Sequence, residues 1–188
     1  MGDRLHTRWR VFPGWHWVAV ALAIPIAGLI GGAVSGPVDA PLPALIGGAL
    51  TGAGLGAVQW LVARDIFGDG WIWIATSALA YGFGLVAGAA VVGYETDLGS
   101  LAAMGAISGV ALGLGQGIAL TQQGHRELGL AWAAAMPVLL AAGWVATTLV
   151  GIDVDQQFTV FGAIGAIVFM ILSGLVLARF PPSTIRTA

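Results

Sequence analysis

A chain of 188 residues that is 58% hydrophobic and only 9% charged, with a formal net charge of -2, departs from a soluble globular domain, in which about a quarter of residues are charged. Its mean hydropathy of +0.92 makes the lipid bilayer the solvent to reason with. The lack of cysteine excludes disulfides, thiolate metal sites and cysteine nucleophiles, and seven basic residues, all arginine, form no patch of the size a nucleic-acid partner needs.

Six apolar segments follow along the chain, at about 14-35, 43-63, 71-92, 99-121, 129-150 and 158-178. Each is long enough to cross ~30 Å of hydrocarbon as a helix. The first is too long for a signal peptide and carries Trp15, His16 and Trp17, then Gly28, Gly32 and Gly36. The second, "GGALTGAGLGAVQWLVAR", sets Gly48, Gly52 and Gly56 on one helical stripe, with Thr51, Gln59 and Trp60. The third opens on Trp71 and Trp73 and holds Thr76, Ser77 and Tyr81. The fourth repeats the stripe at Gly105, Gly109, Gly113 and Gly117, with Ser108 and Gln116; the fifth holds Trp132, Pro137, Trp144, Thr147 and Thr148. The sixth weakens the stripe to Gly162, Ala166, Met170 and Gly174. In lipid no hydrophobic force drives helix onto helix, so small residues that admit close backbone approach are expected to form the packing faces.

Six spans put all seven arginines on one side, and the positive-inside rule predicts that both termini are cytoplasmic. The opposite loops carry Asp39, Glu95, Asp97, Asp153 and Asp155 without a basic residue. Seven tryptophans, Trp9, Trp15, Trp17, Trp60, Trp71, Trp73 and Trp132, fall near the inner boundary and are expected at the headgroup level; Trp144 is the exception.

The second segment aligns without gaps on Gly162 to Arg179, and at an offset of 57 on Ser108 to Leu120, so that Gln59 matches Gln116 and then Gly174. Among the odd-numbered segments, Trp15, Trp17, Pro25, Gly28 and Gly32 match Trp71, Trp73, Tyr81, Gly84 and Gly88, and Pro25 matches Pro137. The predicted fold is therefore an all-α integral membrane protein: one domain over 1-188, with six spans as three tandem hairpins at about 14-64, 71-121 and 129-179. Such parallel repeats predict a pseudo-threefold bundle, unlike the inverted repeats common in alternating-access transporters. The unit "GLGAVQWLVAR", with its echo "GLGQGIAL", resembles a set of uncharacterised glycine-rich multipass bacterial membrane proteins with recurring Gly-x-x-x-Gly-x-x-Gln-Trp-Leu-x-x-Arg units. The resemblance implies a bacterial multipass protein and no activity.

Candidate polar positions at depth are Gln59, Gln116, Thr51, Ser108 and Tyr81. The two amides read first as packing hydrogen bonds and second as cavity lining. "GAISGVALG" resembles the serine helix of rhomboid proteases, but its spacing is Gly-x-x-Ser-Gly and the sixth segment has no histidine base to activate Ser108. His16 lacks a second histidine on a facing helix, so it reads as interfacial, not as a haem ligand. The outer carboxylates lack the ligand spacing of a calcium motif. No ionisable side chain falls in the middle of a span, which disfavours ion-coupled transport. The expectation is a non-enzymatic protein of the bacterial inner membrane without cofactor or metal. It reads as a scaffolding, accessory or lipid-binding subunit, with membrane lipids and a larger complex or a homo-oligomer as partners; the alternative is a passive conduit for a small neutral solute. Large apolar side chains on the central axis would favour the first, a column of small or hydroxyl residues the second.

Overall fold

A computed structural model describes residues 14-152 and 157-180. The helices are α1 (Gly14–Ala19), α2 (Ala23–Ser35), α3 (Pro41–Phe67), α4 (Gly70–Val91), α5 (Leu98–Gln122), α6 (Arg126–Leu149) and α7 (Ala163–Ala178), with no strand among the described residues. The run His16–Ser35 and helices α3 to α6 are long and apolar enough to cross a membrane, which supports a multipass membrane protein. The outward side chains agree: Leu29, Leu61 and Val138 are 64%, 65% and 66% exposed, a surface that suits lipid and not water.

Local chemistry sets the boundaries. A 3-10 turn over Val20–Leu22 separates α1 from α2, where Pro25 has no N–H to return to Ala21. Gly36, at φ 81, ends α2, and Pro41 opens α3 in the first turn, where its missing N–H costs nothing. Ala63 leaves the helical region (φ -133, ψ 39) and kinks the end of α3; Gly68, at φ 59, then turns the chain into α4. Asp69 caps α4 by accepting from the Trp71 and Ile72 amides, and Asp97 caps α5 by accepting from those of Gly99 and Ser100.

The helices close a ring in chain order, α2 on α3 and onward to α6 on α7, with α7 returning to α1 and the 3-10 turn. The sixth segment departs from expectation. Residues 157-162 are not helical, and α7 has only 16 residues, about 24 Å of helix. Non-helical backbone at membrane depth is tolerated where protein surrounds it. Here Thr159, Val160 and Phe161 are buried at 1%, 6% and 1% exposure.

Candidate functional site

At one end of the ring the interior is aromatic. The kink at Ala63 delivers Phe67 inward, fully buried, with its ring stacked 4.1 Å from Trp73 and 6.0 Å from both Trp17 and Trp132. These four side chains come from α3, α4, α1 and α6, so Phe67 sits where non-adjacent helices converge. Three of the indoles expected at the headgroup level face this interior. Trp17, Trp73 and Trp132 are buried because each finds a hydrogen-bond acceptor inside, which removes the reason for an indole to seek the interface. Trp71, at 78% exposure, keeps an outward position and Trp60 is half-buried, donating to the Gly68 carbonyl at 2.9 Å. Trp144 is buried. Trp9 and the side chain of Trp15 lie outside the described residues.

The acceptors form a polar layer. Gln116 is its hub, donating from Nε2 to Gln59 Oε1 at 2.9 Å and to Ser77 Oγ at 2.8 Å, while its Oε1 accepts from Trp132 Nε1 at 2.7 Å. Gln59 Oε1 also accepts from Trp73 Nε1 at 3.3 Å. Ser77 Oγ donates in turn to the Trp73 carbonyl at 2.7 Å. The third indole, Trp17, donates to Ser173 Oγ at 3.2 Å. Gly174, the expected counterpart of the glutamines, instead lies against the side of the Trp17 ring, 3.1 Å from where its Cβ would stand. A gapless alignment of glycine stripes thus misses by one residue the side chain that meets the indole.

The other end is filled by the segment before α7. Thr159 Oγ1 donates to the Gly28 carbonyl at 3.0 Å, so Thr51 Oγ1 is the donor in their 2.9 Å contact. Tyr81 Oη donates to the Thr159 carbonyl at 2.9 Å. Phe161 packs edge-on against Trp144, 6.1 Å away, and lies 5.8 Å from Phe169. Val38 N donates to the Gln157 carbonyl and Gln157 Nε2 to that of Tyr94, tying this segment to both neighbouring loops. Thr51 and Tyr81 are therefore brought together around Thr159, whereas Gln59 and Gln116 meet near the opposite end. Sequence reasoning missed Phe67 and Thr159, and read Ser173 only as a polar residue at depth, without the partner it meets. The available signals were weak: an aromatic inside the polar break "RDIFGDG", and a hydroxyl among the apolar residues of "FTVFG".

Among the glycines, Gly48, Gly52 and Gly56 lie against Gly82, Ser77 and Ile74 of α4, and Gly105, Gly109 and Gly113 against Leu140, Met136 and Ala133 of α6. Ser108 donates to the Met104 carbonyl at 2.8 Å, the local bond expected of a helical hydroxyl. His16 is exposed. On the opposite loops, the Ser100 hydroxyl and then the Ser100 and Gly99 amides hold the Asp97 carboxyl below its usual range. Among the described residues no three His, Cys, Asp or Glu side chains stand close enough to hold a metal ion; Asp153 and Asp155 lie outside them, as do Arg4, Arg8, Arg10 and Arg186. An apolar surface groove of about 190 Å³ runs between α5 and α6, lined by Leu114, Ile118, Leu130 and Ala133 with Gly117 and Gly129.

Chemically, this interior locks helices together: apart from Gln59 Nε2, the polar side-chain groups of the layer bond to one another. Comparison of the chain with protein-family models, with curated proteins and with solved structures finds no match.

Proposed function

We propose that the chain is a rigid, non-enzymatic scaffolding or accessory subunit of a bacterial inner-membrane complex, with both termini cytoplasmic, lipid around it and a larger membrane protein or a second copy docked on its faces. The observation that carries this reading is the filled interior, with Phe67 among three tryptophans at one end and Thr159 to Phe161 at the other. A conduit needs a continuous polar or open path. The buried Gln59, Gln116, Thr51 and Ser77 would favour that second reading, but Gln116 is bonded to Gln59 and Ser77 while Thr51 is bonded to Thr159 at the other end, and buried Leu55 stands between Thr51 and Gln59 along α3.

We also read the ring as three tandem hairpins about a pseudo-threefold axis. Its support is the recurring bond from an indole N–H to a polar side chain: Trp73 to Gln59, Trp132 to Gln116 and Trp17 to Ser173. The acceptors fall at a constant step of 57 residues. Leu55, Leu112 and Phe169, one turn away, keep the same step and are all buried. Trp132 is then the third counterpart of Trp17 and Trp73, so the match of Pro25 with Pro137 is displaced by a few residues in this register.

Native mass spectrometry of the protein extracted gently from its host tests the function. A stoichiometric larger polypeptide is the expected result. Recovery as a bare monomer, coupled with solute flux above that of empty vesicles after reconstitution, would overturn the scaffold reading in favour of the conduit.

A further inference from the structure

Gln59 is wholly buried, and its Nε2 is the one amide nitrogen of the polar layer without a partner. Turning the amide over does not help. Both groups that meet Oε1, Trp73 Nε1 and Gln116 Nε2, are donors, so the oxygen is fixed where it is. A buried N–H donor with no acceptor is strongly disfavoured. The bonding at the other two positions defines the partner that a threefold layer would give it. Gln116 donates to Gln59, so in a cyclic threefold layer Gln59 would donate to the side chain at position 173, and that side chain to Gln116. Position 173 holds serine, shorter than glutamine by a whole amide group. Ser173 Oγ accepts from Trp17 and donates to the Met170 carbonyl, which leaves one lone pair, and Gln116 Oε1 accepts from Trp132 alone.

We propose that this layer is a binding site for a single internal water, which accepts from Gln59 Nε2 and donates to Ser173 Oγ and Gln116 Oε1. Three polar partners are what a structural buried water commonly has. The inference rests on the threefold correspondence of Gln59, Gln116 and Ser173, not on the scaffold reading.

The test is a water-to-amide NOE measured on the side-chain amide of Gln59 in detergent micelles, the signal being assigned by its loss in Gln59→Met. A cross-peak to water in the wild type, lost in Ser173→Gln while the fold and melting temperature are kept or raised by about 2-4 °C, is the expected result. No cross-peak in the wild type overturns the water and leaves the correspondence standing. A cross-peak that persists in folded Ser173→Gln overturns the placement at 173 and, with it, the correspondence. Unfolding of Ser173→Gln beside a folded Ser173→Ala means that no room exists at 173, and overturns the placement too.

Discussion

At the scale of single residues, the polar layer is where one side chain holds most bonds. Gln116→Leu removes three hydrogen bonds and strands the Trp132 indole N–H in a buried setting. A stranded donor costs about 1-3 kcal/mol, more than the ~0.6 kcal/mol average for an interhelical bond in a membrane. Thermal unfolding in detergent should show that loss for Gln116→Leu and a change within about 0.5 kcal/mol for Gln122→Leu, whose side chain is exposed. Asp97 offers a second check. Because the folded carboxyl sits below its usual range, the cap it provides to α5 is present above the ordinary aspartate pKa and is lost as pH falls through the lowered one. Ser100→Ala should move the Asp97 titration upward in a carboxyl NMR series; an unmoved titration would show that the Ser100 hydroxyl is not the main cause.

Helices pack here through backbone contact, and glycines that look alike in the sequence have different surroundings. A Cβ at Gly109 would stand 2.5 Å from the Met136 carbonyl and 2.6 Å from the Pro137 Cα, whereas one at Gly32 meets nothing within 4 Å. Backbone cannot give way as a side-chain tip can, so Gly109→Ala should lower stability by about 1-3 kcal/mol. Gly32→Ala should stay within about 0.5 kcal/mol of wild type. Equal losses in the two variants, measured by thermal unfolding, would mean that α5 and α6 do not approach as described. Periodicity alone cannot separate these positions, because the stripe records which helix face is small and not what lies opposite. The same limit explains the sixth segment. Its first residues, Phe158, Val160 and Phe161, are as apolar as a span, but the carbonyls of Thr159 and Gln157 beside them accept from residues more than 60 positions away, Tyr81 and Val38.

For the whole molecule, the helical class and the membrane-length segments were legible in hydropathy and length, since a bilayer demands both. What fills the ring was not, because it depends on where a kink at Ala63 and a non-helical stretch before α7 send Phe67 and Phe161. These two fillings enter from opposite ends, and that leads to a prediction on permeation. Phe67→Ala removes a fully buried aromatic ring and should cost about 3-5 kcal/mol. It should nevertheless leave proteoliposomes as tight to water and glycerol as protein-free vesicles in stopped-flow light scattering, because Thr159, Val160 and Phe161 still occupy the other end. Flux that appears in Phe67→Ala alone would make this ring a gate over a pathway, and would require the far segment to move aside when Phe67 is gone. Flux in neither protein leaves the mutated ring as structure and directs attention to its outer faces, where the exposed apolar side chains of α2 to α6 meet whatever the membrane supplies.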